Sequence, residues 1–260
     1  GRAHRSKEVF KAYEYARGLG FDNINIDLIS GMLEETDENW ADCIDQVLRL
    51  SPDCVTIYQM EVPFNTGIFK SMKEEGRLTA PVADWPTKRK WVNEAYERLE
   101  NAGYTITSAY TAVKNPENTK FVYRDRLWSG SDMIGLGVSS FGHLGGIHYQ
   151  NITNIENYCT SIEDQKSPIR RALLTNDEER FIRELILQWK LGRVSEKYFL
   201  DKFNISIRQR FADVLSKWVD RGDLSIQGSE YFLSRSALLQ IDSLLQNFFL
   251  PAHRDATRYV

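Results

Sequence analysis

Asn25-Ile26-Asp27-Leu28-Ile29-Ser30-Gly31-Met32 reads as a buried strand that runs straight into a glycine turn. Ile24, Ile26, Leu28 and Ile29 supply the apolar run expected of a core strand in a parallel sheet. Asp27 sits toward its carboxyl end, where open and barrel α/β sheets place their ligands. A carboxylate there can accept two hydroxyl hydrogen bonds from a ribose, or it can cap the loop or helix that follows.

Working outward, the strand is flanked by helices. Ser6 can cap a helix whose apolar face is Val9, Phe10, Tyr13 and Ala16, ending at Gly18 or Gly20. Thr36 or Asp37 opens a second helix with Trp40, Ile44, Val47 and Leu48 on one side. After Pro52, Cys54-Val55-Thr56-Ile57-Tyr58-Gln59 reads as a second buried strand. A helix from about Asp84 to Asn101 carries Trp91, Ala95, Tyr96 and Leu99, and Tyr104-Thr105-Ile106-Thr107 starts a third strand. This αβαβαβ order predicts right-handed crossovers and a parallel sheet. Three strands do not close a barrel, so residues 1–110 are predicted to be half of a (β/α) TIM-type barrel.

Residues 111–174 are rich in Gly, Asn, Ser and Tyr and lack clear periodicity, which predicts a functional loop region facing the substrate. From residue 175 the pattern turns helical. Thr175-Asn176-Asp177-Glu178 reads as a capping box, with Phe181, Ile182, Leu185, Ile186 and Trp189 at helix spacing. A short helix is expected from Ser195 to Phe203 and another over Ser206–Asp220. A hairpin of Leu224-Ser225-Ile226 with Tyr231-Phe232-Leu233 follows, then a last helix over Ser236–Phe249. Three helices and a two-stranded wing predict an α+β winged-helix domain over 175–260.

Composition bounds the function. A net charge of −3 over 260 residues gives no global field for nucleic acid or an anionic membrane. Arg208, Arg210 and Lys217 on the expected recognition helix are diluted by Asp213 and Asp220, where DNA reading needs a basic stripe. No apolar run approaches the roughly 18 residues that span a bilayer. Cys43, Cys54 and Cys159 form neither a disulfide framework nor a metal-ligand spacing, which fits a cytoplasmic setting. The chain opens at Gly1 directly into a helix and reads as a fragment whose N-terminal part lies upstream.

Taken in order, these motifs resemble the oxygen-independent coproporphyrinogen III oxidase family of radical S-adenosylmethionine enzymes. The resemblance is carried by Ala16-Arg17-Gly18-Leu19-Gly20-Phe21 before the Asp27 strand and by Gly1-Arg2-Ala3-His4 ahead of the first helix. Trp128, Gly135-Leu136-Gly137-Val138-Ser139-Ser140, Gln150-Asn151 and the closing Thr257-Arg258-Tyr259-Val260 extend it along the whole chain. It implies that S-adenosylmethionine is held by Arg2 and, through its ribose, by Asp27, with Glu61 and Phe141 lining the cofactor pocket. It also implies a [4Fe-4S] cluster, an electron donor such as flavodoxin or ferredoxin, and a tetrapyrrole substrate. A 5′-deoxyadenosyl radical would then take hydrogen from a coproporphyrinogen III propionate, leading to oxidative decarboxylation. Nucleic acid and membrane are not expected partners.

The chain departs from the pattern in three places. The family's Cys-x-x-x-Cys-x-x-Cys run is absent and is expected upstream of Gly1, so this piece alone is predicted to be inactive. Leu33-Glu34-Glu35-Thr36 follows Gly31-Met32 where the family usually has proline. Phe121-Val122-Tyr123-Arg124-Asp125-Arg126-Leu127-Trp128 replaces the His-Asn-x-x-Tyr-Trp typical of the heme-chaperone branch. It looks closer to branches that methylate substrates or open heme anaerobically; a heme-binding chaperone without turnover is the other alternative. Arg124 and Arg126 can grip propionate carboxylates, or pair with Asp125 or a neighbour. His143 and His148, expected in a flexible glycine loop, can orient substrate or transfer protons.

Overall fold

The computed structural model describes residues 6–62, 74 and 82–254. The fold is mixed α/β, and the described chain divides into two compact units. One holds the residues up to Lys120 together with Arg235–Ile241; the other holds Phe121–Ser234 and Asp242–Arg254. No helix among the described residues is long and apolar enough to cross a membrane.

The first unit runs α1 (Ser6–Gly18), β1 (Asn25–Ser30), α2 (Asp37–Leu50), β2 (Cys54–Gln59), α3 (Trp85–Asn101), β3 (Thr105–Ile106) and β4 (Thr111–Val113). The caps follow the sequence: the Thr36 hydroxyl accepts from the Asn39 amide, and the Asp84 carboxylate accepts from the Thr87 amide. Trp40, Ile44 and Val47 of α2 meet Trp91, Val92, Ala95, Tyr96 and Leu99 of α3 over Leu28, Val55, Ile57 and Ala112 of the sheet. Polar tips inside this core find partners. Trp40 Nε1 donates to the Trp91 carbonyl (2.9 Å), and the Tyr96 hydroxyl donates to the Ala109 carbonyl (2.8 Å). The apolar face of α1 is only half-buried, with Val9 40% exposed, and Arg17 on Asp53 (2.6 Å) ties its last turn down.

The sheet is not the all-parallel one the sequence predicts. Its order is β1-β2-β4-β3; β1 and β2 are parallel, but β4 lies antiparallel to β2. The chain reverses tightly after Thr107, so β3 becomes a two-residue edge strand and β4 takes the place beside β2.

In the second unit, 111–174 is not a structureless loop. Beyond β4 it carries α4 (Val122–Trp128), β5 (Phe141–Leu144), β6 (Ile147–Asn151), α5 (Ile155–Glu163) and β7 (Ile169–Leu174), with β5-β6-β7 a three-stranded antiparallel sheet. Gly145 and Gly146, both at positive φ, make its two-residue hairpin turn. Within the Gln150-Asn151 motif, Asn151 is buried and serves the fold. Its Nδ2 donates to the carbonyls of Gly135 and Gly137 (3.0 Å each), pinning the glycine loop.

The unit continues with α6 (Asp177–Trp189), β8 (Arg193–Ser195), α7 (Glu196–Phe203), α8 (Ile207–Arg210), α9 (Ala212–Asp220), β9 (Leu224–Gln227) and β10 (Glu230–Leu233). The capping box sits one residue later than expected, on Asn176 and Glu179. The single helix expected over Ser206–Asp220 breaks at Phe211, whose φ of −125° leaves the helical region. The one expected over Ser236–Phe249 breaks too, into α10 (Arg235–Leu239), α11 (Ile241–Leu244) and a 3₁₀ turn. Strands β8-β10-β9 form a second small sheet, and the predicted hairpin is its β9–β10 pair. Trp189, Trp218, Tyr231, Phe181, Phe199 and Phe248 are fully buried in the core.

Candidate functional site

Asp27 is the third of six residues in β1, nearer the middle than the sequence reading places it. Strand pleating alternates the side chains: Ile26 and Leu28 face α2 and α3, while Asn25 and Asp27 face the other way. On β2, Thr56 pairs in register with Asp27 and shares its face, and its hydroxyl lies 3.0 Å from Asn25 Oδ1. Asp27 is exposed, and its Oδ1 accepts from Asn25 Nδ2 (2.6 Å). Burial, and then the Asp27 charge, push the Tyr58 phenol above its ordinary pKa. The result is a strip of hydroxyl, amide and carboxylate on the side of the sheet opposite the helix-packed core. An exposed carboxylate with an orienting amide beside it fits the two hydroxyls of a ribose.

The turn after β1 explains the Leu33-Glu34-Glu35 departure. The Glu35 carboxylate accepts from the amides of Gly31 (2.6 Å) and Met32 (3.1 Å). Burial raises its pKa, opposed by those two amides. Gly31 is at φ +89°, and a Cβ there would fall 2.4 Å from the Lys88 side chain. Lys88 is itself buried and donates to the Met60 carbonyl (2.7 Å). Burial lowers its pKa, with Glu61 the first group opposing. Glu61 is exposed just beyond β2, beside this cluster. Lys88 was legible only as a lysine at a helix-face position that the period assigns to the core.

Phe141, Arg124, Arg126, His143 and His148 lie in the second unit. His143 and His148 are not in a loop: they sit on β5 and β6 as direct cross-strand partners, ring centroids 6.0 Å apart. The Phe141 ring stacks on His148 at 5.6 Å. Burial holds both imidazoles below the ordinary histidine pKa of 6.5, followed for each by the Arg183 charge. A folded pKa below the unfolded one means the unfolded chain binds more protons between the two values. The second unit is therefore expected to keep its full stability above pH 6.5 and lose it as pH falls below that value. Urea unfolding at a series of pH values checks this; a His143→Gln/His148→Gln variant should flatten the dependence.

Arg124 is already engaged. Its guanidinium pairs with Asp125 (2.8 Å) and lies over the rings of Phe121 (5.0 Å) and Trp128 (5.2 Å). Arg124→Ala is expected to destabilise the second unit by about 1–2 kcal/mol through lost packing and cation–π contact. The same variant tests the expected carboxylate grip: weakened tetrapyrrole affinity at an unchanged melting temperature would assign Arg124 to the substrate, and a lower melting temperature at unchanged affinity would make it structural. Arg126 is exposed on α4. Arg2 and the closing Thr257-Arg258-Tyr259-Val260 lie outside the described residues.

The cysteines do not suit an iron–sulfur cluster. Cys43 is half-buried, with burial pushing its thiol up to about 11, Cys54 is buried and Cys159 is exposed. Among the described residues no group of three or more His, Cys, Asp or Glu is placed to hold a metal.

No family model matches the chain. It is 27% identical over 248 residues to the heme chaperone HemW of Bacillus subtilis, covering 92% of this chain and 62% of that protein. It is 25% identical over 270 residues to the oxygen-independent coproporphyrinogen III oxidase of Pseudomonas aeruginosa, covering 96% of this chain and 57% of that protein. The resemblance to the oxygen-independent coproporphyrinogen III oxidase family is borne out. A solved structure described as coproporphyrinogen III oxidase (HemN) from Escherichia coli, a radical SAM enzyme, shares the fold. The TM-score is 0.76 at 19% identity, over 95% of this chain and 59% of that one. The chain thus spans about six-tenths of the length of the relatives it matches.

Proposed function

We propose that this chain is part of a radical S-adenosylmethionine enzyme that oxidatively decarboxylates the propionates of a coproporphyrinogen in anaerobic heme biosynthesis. The observation that carries the reading is Asp27, an exposed carboxylate on the side of a parallel strand pair opposite its helices. The similarity to the Pseudomonas aeruginosa oxidase, aligned over 96% of the chain, supports it. We read the first unit as part of a (β/α) barrel. In the second, the order α6, α7, α9 and then the β9–β10 hairpin supports a winged helix without a DNA role. Two of its basic residues are occupied: Arg210 pairs with Glu178, and Arg208 donates to the Gly228 carbonyl.

Asp27 would hold the ribose of S-adenosylmethionine, with Glu61 of the same unit as a further cofactor contact. When bound, that cofactor supplies the radical chemistry. The chain's own residues orient it and the tetrapyrrole, with Arg126, His143 and His148 as further substrate contacts. The described cysteines do not fit the [4Fe-4S] cluster, and a separate electron donor such as flavodoxin or ferredoxin would reduce it. The test is conversion of coproporphyrinogen III by the intact protein with S-adenosylmethionine and a reductant, followed by product porphyrin fluorescence. The similarity to HemW supports a second reading, a heme chaperone. Stoichiometric heme binding without coproporphyrinogen turnover would select it.

A further inference from the structure

In the second unit a cleft of about 450 Å³ is lined by Gly130, the Gly145–Gly146 turn, His143 and the charged residues of α6 and α7. Its lining holds three permanent cations, Arg180, Arg183 and Lys202, and three carboxylates, Asp132, Asp177 and Glu184. Two of the cations are neutralised in place. Lys202 pairs with the buried Glu184 (2.8 Å), which also accepts from the Tyr198 hydroxyl, and Arg180 pairs with Asp177. Asp132 accepts from the Gly145 amide (3.1 Å).

Arg183 differs. Among the described residues it has neither an ion pair nor a hydrogen bond, although it is half-buried. Burial lowers its pKa, and the neighbouring Glu184 opposes that only in part. Its field reaches both imidazoles of the β5–β6 pair, and Arg171 of β7 adds to it at His148. His143, 4% exposed on the cleft wall, and His148 each have a buried Nδ1 with no partner among the described residues. A half-buried guanidinium without an ion pair, its charge offset only in part by Glu184, beside a buried imidazole short of a hydrogen bond, is unfavourable in the protein alone. An oxyanion in the cleft would relieve it.

Gly130 and Gly146 present bare backbone; a Cβ would fall 2.1 Å from Glu184 Oε2 at the first and 3.0 Å from Arg180 Nη1 at the second. Arg183 is the one cation of the lining without an ion pair among the described residues, and with Asp132 also in the lining a monoanion suits the cleft better than a phosphate dianion. A planar guanidinium fork matches a carboxylate in two places.

The geometry points to Arg183 as the group that grips a side-chain carboxylate of the tetrapyrrole in this cleft, with His143 alongside. This rests on the tetrapyrrole reading above and moves the carboxylate contact from Arg124, already occupied, to a residue that is not. The experiment titrates the intact protein with coproporphyrin III, a stable tetracarboxylate, and with its tetramethyl ester, following porphyrin fluorescence. It uses the wild type, Arg183→Leu and Arg183→Lys, each with its melting temperature. The wild type should bind the acid at least about tenfold tighter than the ester, a margin typical of a charge-assisted pair. Arg183→Leu should lose that margin on the acid alone, without a lower melting temperature, because an unpaired half-buried charge has been removed. Arg183→Lys should fall between. If Arg183→Leu binds the acid as the wild type does, the assignment of Arg183 fails and the tetrapyrrole reading stands. If it loses acid and ester equally and melts earlier, Arg183 is structural and the assignment again fails. If the wild type binds no coproporphyrin, both fail.

Discussion

Trp189→Ala is expected to cost the second unit about 3–5 kcal/mol of stability, the range for deleting a large aromatic from a closed core. Trp189 is 0% exposed at the end of α6. Its ring lies 5.5 Å from Trp218, 6.0 Å from Tyr231 and 5.8 Å from Phe248, so α6, α9, β10 and the 3₁₀ turn at Leu245–Phe248 all meet on it. Rigid rings on every side cannot collapse into the space, and the residual cavity adds to the lost transfer energy. The melting temperature should fall by about 10–20 °C. Trp189→Phe provides the control. The indole Nε1 is buried without a hydrogen-bond partner among the described residues, so phenylalanine removes an orphaned donor while keeping much of the volume. It should cost far less than alanine. A loss below about 1 kcal/mol for Trp189→Ala would show that this aromatic cluster is not the core of the unit.

The same cluster shows what could be read in advance. Phe181, Ile182, Leu185 and Trp189 recur at helix spacing, and that period survives any tertiary arrangement, so α6 was legible. So were α2, α3 and the β1–β2 pair, where caps and apolar runs agree. The neighbours of β2 were not. Thr105-Ile106 and Thr111-Ala112-Val113 are too short to show a period, and the turn between them decides the direction of β4. Residues 141–174 looked irregular because the β5–β7 sheet is built on glycine turns and on Ile169-Arg170-Arg171-Ala172-Leu173-Leu174, which has no alternation and is exposed throughout. The site divides the same way. Asp27 stood out because a lone carboxylate interrupts an apolar strand. Arg183 did not, because on the α6 period it occupies a polar position, and only the fold brings the two imidazoles of the β5–β6 hairpin within reach of its charge.

Asp27→Ala in the intact protein is expected to weaken S-adenosylmethionine binding by about 1.5–3 kcal/mol, roughly 10- to 100-fold in dissociation constant. The carboxylate lies on the exposed face of β1, where Asn25 Nδ2 holds Oδ1 and fixes the plane of the group. That leaves acceptor capacity for the vicinal hydroxyls of a ribose, and a hydroxyl bonded to a charged acceptor is worth more than one bonded to a neutral one. Asp27→Asn is the sharper variant. It keeps shape and one acceptor oxygen but loses the charge and turns the second oxygen into a donor, so its affinity should fall between wild type and alanine. Neither variant should lower the melting temperature, because Asp27 is exposed and packs nothing in the α2–α3 core. Calorimetric titration of S-adenosylmethionine beside thermal unfolding separates the outcomes. A loss of affinity at constant stability assigns Asp27 to the cofactor. Unchanged affinity with an intact fold removes it from the site and leaves it a strand residue held by Asn25.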